Sequence, residues 1–227
     1  MDIGVDGIFY INLKHRVERM KWIESELSRM KFPKEKIIRI DAVRDKECGH
    51  IGCCKSHIKA IDLAKQLGYK SYLVFEDDFK FTVGSDILHK RLKDISSEKW
   101  DVCMLAGLIS EVHSKKDIYW RIKYATTTSG YIVRDHYYDT LKKCFTESLE
   151  IMEKELVKHK EKIKTITNIK DRWTATRRHP GAMLQYDVTA IDRYWKKYQE
   201  TDNFIMFVPP LGEQNELFDR KYKGNDT

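Results

Sequence analysis

The chain begins with a run of β-branched and aromatic residues, Ile8-Phe9-Tyr10-Ile11-Asn12, after which the apolar period changes. Such a run predicts a buried strand. Val17, Met20, Ile23, Leu27 and Met30 then recur at steps of three and four until Phe32-Pro33, the pattern of an amphipathic helix stopped by proline. Lys36-Ile37-Ile38-Arg39-Ile40 reads as a second strand. Between Gly52 and Gly68, Cys54, Ile58, Ile61 and Ala64 mark one helical face, and Ser71-Tyr72-Leu73-Val74-Phe75 is a third strand. The order β-α-β-α-β predicts an α/β fold, Rossmann-like, with a mostly parallel central sheet that binds ligands at the carboxyl ends of its strands.

Trp100-Asp101-Val102-Cys103-Met104-Leu105 and Gly130-Tyr131-Ile132-Val133 predict two further strands, the second followed by a helix through Tyr138 and Leu141. From Glu147 to about Thr176 the chain is lysine-rich and weakly apolar, which predicts a helix plus a mobile loop at the surface. A last helix carries Asp192, Tyr194 and Trp195, and Phe204-Ile205-Met206-Phe207-Val208 forms a final strand ending at Pro209-Pro210.

At 227 residues and 41% hydrophobic, the sequence is long enough for one sizeable core, so a single domain suffices. A net charge of +7 suits a polyanionic partner, whether a nucleotide diphosphate, nucleic acid or an acidic surface. The lysines are scattered through helical stretches, as on solvated faces. The five cysteines contain no CxxC pair, and Cys53-Cys54 are adjacent, so neither a disulfide framework nor a zinc site is expected. The first residues lack a basic segment followed by an apolar core, and no stretch has the apolar length of a membrane span. The expected location is cytoplasmic, or peripheral to a membrane.

Glu76-Asp77-Asp78 follows the third strand directly. Three consecutive carboxylates repel one another unless a cation neutralises them. Oxygen-only ligands suit a hard divalent ion, Mn²⁺ or Mg²⁺, which takes phosphate oxygens in its remaining positions. Strand alternation continued through the triplet would put Glu76 and Asp78 on one side as the metal ligands and Asp77 on the other. At the end of the first strand, Asn12, Leu13, Arg16 and Arg19 lead into a helix start, which attracts phosphate. Gly52-Cys53-Cys54-Lys55-Ser56-His57 opens the second helix. Ser56 and His57, being adjacent on a helix, point about 100° apart and cannot form a nucleophile–base pair.

The order of these motifs resembles glycosyltransferase family 25, which includes lipopolysaccharide galactosyltransferases and procollagen galactosyltransferase domains. The likeness rests on Tyr10-Ile11-Asn12-Leu13 with Arg16 and Arg19, on Gly52 to His57, and on Leu73-Val74-Phe75-Glu76-Asp77-Asp78. Echoes continue in Thr128-Ser129-Gly130-Tyr131-Ile132, in Ala190-Ile191-Asp192, and in Pro209-Pro210 with Gln214. The resemblance implies a GT-A type nucleotide-sugar-binding fold and a UDP-sugar donor, UDP-galactose or UDP-glucose. It further implies transfer, usually with inversion, to a glycan or a hydroxylysine-containing protein. Residues 1–110 would form the donor-nucleotide half and residues 111–227 the acceptor half. Asn12, Leu13, Arg16, Arg19, Ser56, His57, Glu76 and Asp77 would line the donor, with Glu76 and Asp78 on the metal. Asp192 is the first candidate for the base and Asp187 the second, and Arg177, Arg178 and His179 would form a lid. No alignment extends through 150–178, so the acceptor stays open, as does the oligomeric state. A nucleotidyltransferase would use similar carboxylates. A basic nucleic-acid-binding module would also fit the charge, but no Lys/Arg–aromatic interleaving supports it and nucleic acid is not expected as a partner.

Overall fold

The computed structural model describes residues 4–170 and 189–218. The first strand, β1 (Gly7–Asn12), leads to α1 (Val17–Arg29) and, through a short 3₁₀ turn at Lys34–Lys36, to β2 (Ile37–Asp41). Helix α2 (Gly49–Gln66) connects to β3 (Ser71–Glu76). After the turn at Asp77-Asp78 come β4 (Phe79–Phe81), α3 (Ser85–Asp94) and β5 (Val102–Met104). A hairpin of β6 (Leu108–Lys115) and β7 (Tyr119–Thr126) precedes β8 (Gly130–Arg134) and the long α4 (Tyr138–Thr165). Two one-turn helices, α5 (Ile191–Tyr194) and α6 (Lys196–Gln199), lead into β9 (Phe204–Phe207) and β10 (Gly212–Gln214).

The eight-stranded sheet has the order β2-β1-β3-β8-β5-β9-β7-β6. Strands β2, β1, β3, β5 and β9 run in one sense. Strand β8 is antiparallel between β3 and β5, and the β6–β7 hairpin joins the edge through an antiparallel pairing with β9. The expected α/β, mostly parallel sheet is therefore present. Its two sequence halves interleave, since β8 and β9 from the second half flank β5 from the first.

Alternation along the strands sorts the core into two layers. Phe9, Tyr72, Val74, Tyr131 and Met206 face α2 and α4. Ile8, Tyr10, Leu73, Phe75 and Ile205 face α1 and α3. On α1 the apolar stripe buries Ile23 and Leu27, each burial stabilising by about 1.5–3 kcal/mol, while Val17 at its start is 46% exposed.

Several expectations change. Helix α2 begins at Gly49, so Gly52 to His57 lie inside it rather than opening it. A Cβ on Gly52 would stand 2.5 Å from the Val43 carbonyl oxygen, which explains glycine where α2 presses on the loop after β2. The lysine-rich stretch is helical through Thr165, because Cys144, Phe145, Ser148, Met152 and Leu156 give α4 a continuous buried face. The last helix is two short ones with the buried Trp195 between them. Strands β4, β6, β7 and β10 and helix α3 are additions that the apolar pattern does not predict. Among the described residues no helix is long and apolar enough to cross a membrane.

Candidate active site

The chain leaves β1 outward to β2 and returns across it to β3, so the carboxyl ends of β1 and β3 diverge in connection while lying side by side. Crevices at such a switch point are where open α/β sheets bind ligands. Here Asn12 and Glu76 end the two strands.

Asn12 is 1% exposed and its amide is fully engaged. Its Nδ2 donates to Asp77 Oδ2 at 2.8 Å and to the Arg16 carbonyl at 3.2 Å, and its Oδ1 accepts from Arg39 Nε at 3.2 Å. Arg19 Nη1 lies 3.0 Å from Asp77 Oδ1 and 3.1 Å from Asp78 Oδ2, with all three side chains nearly buried. Phe218 covers the guanidinium at 5.1 Å and packs edge-on against Trp22, whose Nε1 donates to the Phe79 carbonyl. From the other side, the Asn215 backbone N–H donates to the Asp78 carbonyl at 2.7 Å. The acidic turn is thus fastened by α1, β4 and the segment after β10.

The pleat expected to run through the triplet stops short of its end. Alternation ends at Glu76, because Asp77 and Asp78 form the turn into β4 and so escape the pleat. Asp77 and Asp78 share Arg19, and Glu76 meets His57 of α2. Arg19, expected on a nucleotide phosphate, is an internal counter-ion of the turn. Arg16 directly precedes the first turn of α1, and its backbone N–H donates to the Leu13 carbonyl at 2.8 Å, leaving both residues half-buried beside the crevice.

On the α2 side, Glu76 Oε1 accepts from Thr128 Oγ1 at 2.9 Å and lies 3.4 Å from His57 Nε2 and 4.0 Å from Cys53 Sγ. The other His57 nitrogen, Nδ1, is 3.0 Å from the Tyr131 hydroxyl, and the two rings stack. Burial pushes Glu76 up, but its contacts with His57 and Thr128 and the nearby His50 outweigh this and hold it below the usual carboxylate range. Ser56 has a different part. Its Oγ donates to the Gly52 carbonyl at 2.7 Å and accepts from the Val43 backbone N–H at 2.8 Å, so it pins the loop after β2 and does not reach the crevice.

Asp192, in the first turn of α5, accepts the backbone N–H of Thr127, the neighbour of Thr128. Its carboxyl is raised by burial, against the pull of Arg193, and Glu76 raises it further by repulsion. The Cys53 thiol is pushed well above its ordinary value by burial and by the charges of Glu76, Cys54, Asp192 and Asp78. Of these groups Glu76 lies against the thiol, with its Oε1 at 4.0 Å from Cys53 Sγ. Asp187, Arg177, Arg178 and His179 lie outside the described residues. Two surface hollows of about 280 and 390 Å³ open elsewhere, one at the start of β3 and the other beside Lys116 and Tyr119, and neither includes a residue of the triplet.

Sequence reasoning missed Cys53, Thr128 and Tyr131 as a group around Glu76. Cys53 and His57 are four apart on α2, a spacing that puts both on one face, and this signal was available. Thr128 and Tyr131 come together with them only through the antiparallel insertion of β8.

No family model and no curated protein matches this chain. A similar chain path occurs in a mannose-1-phosphate geranyltransferase of Thermus thermophilus, with 10% identity and a TM-score of 0.47 over 88% of this chain and 72% of that one. Another occurs in a glycosyltransferase involved in glycosylation of the major capsid of PBCV-1, with 8% identity and a TM-score of 0.42 over 96% and 98%. Likenesses this distant say nothing about the chemistry of the crevice.

Proposed function

We propose that the chain is a glycosyltransferase that moves a hexose from UDP-galactose or UDP-glucose to a hydroxyl of a glycan or of hydroxylysine, in the manner of glycosyltransferase family 25. The observation that carries this reading is the placement of Glu76 and the Asp77-Asp78 turn at the carboxyl ends of β1 and β3, the switch-point crevice, beside the order of motifs that resembles that family. The carboxylates of the triplet, oxygen donors at a strand end, fit a hard divalent ion. Glu76 and Asp78 would hold Mn²⁺ or Mg²⁺, which when bound supplies compensation for charge growing on the diphosphate.

Leu13 and Arg16 flank the crevice and would meet the nucleotide, while Asn12 and Arg19 hold the acidic turn in place beneath it. His57 and Thr128 fix the Glu76 carboxylate in one orientation. Asp192 feels the charge of Glu76, and a carboxylate raised by burial is a stronger base than an exposed one. It takes the proton of the acceptor hydroxyl, whose oxygen attacks the anomeric carbon as the bond to the UDP oxygen breaks on the opposite face, giving inversion. Within the crevice the reaction needs acceptor and donor held in line, which the rigid ends of β1 and β3 favour.

Incubation with a panel of UDP-sugars and Mn²⁺, followed by measurement of UDP with and without glycan or hydroxylysine peptides, tests this. Acceptor-dependent UDP release supports it. Pyrophosphate formation from a sugar phosphate and a nucleoside triphosphate, with no UDP release, would instead assign a nucleotidyltransferase.

A further inference from the structure

A second kind of ion fits the same corner. We propose that Cys53 Sγ, His57 Nε2 and Glu76 Oε1 form a binding site for a thiophilic divalent ion of the zinc class. The consequence for sugar transfer rests on the function proposed above; the site itself does not.

The three ligand atoms lie within 4.8 Å of one another, with Glu76 Oε1 at 3.4 Å from His57 Nε2 and 4.0 Å from Cys53 Sγ. Metal bonds of about 2.0–2.3 Å at tetrahedral angles put such atoms about 3.3–3.6 Å apart, so a small closure completes the site. All three sit on rigid elements: Cys53 and His57 one turn apart on α2, Glu76 at the end of β3. The outer contacts are also in place. His57 Nδ1 faces the Tyr131 hydroxyl at 3.0 Å, a partner able to accept the Nδ1 proton when Nε2 binds an ion, and Thr128 Oγ1 donates to Glu76. A fourth position is left for water or a ligand, as in zinc sites that are not purely structural.

Charge favours the same ion. Binding breaks the Cys53 S–H bond, forms an S–metal bond and releases the proton to solvent. A thiolate and a carboxylate then leave the half-buried site neutral with a divalent ion. A hard ion gains little from sulfur and imidazole and keeps to the oxygen ligands. The absence of a CxxC pair, which argued against zinc, does not apply to a site assembled from one helix and one strand. Since Glu76 serves both ions, zinc would exclude Mn²⁺ or Mg²⁺ and inhibit transfer.

Titration of the whole chain with Co²⁺, without nucleotide, reads the site directly. The expected result is a thiolate-to-cobalt charge-transfer band with tetrahedral visible bands, saturating at one equivalent and erased by Zn²⁺. Cys53→Ser should abolish the charge-transfer band while keeping the wild-type melting curve, and Tyr131→Phe should weaken Co²⁺ binding about tenfold. A band that persists in Cys53→Ser, or no band in the wild type with excess Co²⁺, overturns the proposal. Spectra are independent of turnover: a chain inactive on UDP-sugars but showing the band loses only the transferase reading, and one that transfers sugar without the band loses only this site.

Discussion

Asn12 Nδ2 donates to Asp77 Oδ2 at 2.8 Å across 65 positions of sequence, joining the end of β1 to the turn after β3. One amide thereby holds the two lips of the crevice together, with Arg39 on its oxygen. Asn12→Asp would replace a donor by a second carboxylate next to Asp77. Chemical denaturation should show it destabilised by more than Asn12→Ala, for which about 1–3 kcal/mol is expected from the unsatisfied groups it leaves. Equal losses would mean that the Asn12–Asp77 contact does not form.

Arg19 answers two nearly buried carboxylates. Removing one partner of a buried ion pair costs about 3–5 kcal/mol, because the remaining charges stay desolvated. Arg19→Met should show a loss of that size in urea unfolding, and adding Asp77→Asn and Asp78→Asn should recover part of it. If Arg19→Met unfolds like wild type, Arg19 faces solvent or ligand instead.

Strands β1, β2, β3, β8 and β9 and helices α1 and α2 are legible in the sequence because their apolar periods are clean and both faces of the sheet are covered. Strand β4 is not, because Phe79-Lys80-Phe81 is too short to stand out from the triplet before it, although Phe75, Phe79 and Phe81 pack with ring centroids 4.7–5.2 Å apart. The β6–β7 hairpin escapes notice because its exposed strand alternates weakly and carries bulges. The triplet itself is plain in the sequence, but its inner pairing is not, since a pleat argument applied past Glu76 cannot see the turn. Asp192 stands out only as a short echo of a motif, and the packing of α5 on α4, which the sequence does not show, sets its position.

Glycine at position 52 allows α2 to meet the loop that Ser56 pins. Gly52→Ala should destabilise by about 1–3 kcal/mol through forced backbone shifts. Thermal unfolding would check it, and an unchanged midpoint would place that loop farther from the helix.

Glu147 on α4 accepts from Lys197 Nζ at 2.6 Å, Tyr194 Oη at 3.0 Å and Tyr198 Oη at 3.2 Å, tying α4 to α5, which carries Asp192, and to α6. The Lys197 hydrogen bond, with help from the tyrosines, holds its carboxyl below the usual range. A depressed carboxylate contributes stability that is present above its unfolded value, about 4.3, and is lost as pH falls through the folded one. Stability in wild type should therefore decline over that acid window, and the decline should be shallower in Glu147→Gln. Parallel acid limbs in pH-dependent urea melts would contradict the tie.

The central claim is that Glu76, Asp78 and Asp192 form one sugar-transfer centre. Its most direct measurement is acceptor-dependent UDP release with Mn²⁺ by wild type and Asp192→Asn at matched melting temperature. The account predicts measurable release by wild type and a fall of about 10²–10⁴-fold in the variant, the range for loss of a general base. Wild-type release that Asp192→Asn leaves unchanged, or no release with any UDP-sugar, would contradict it.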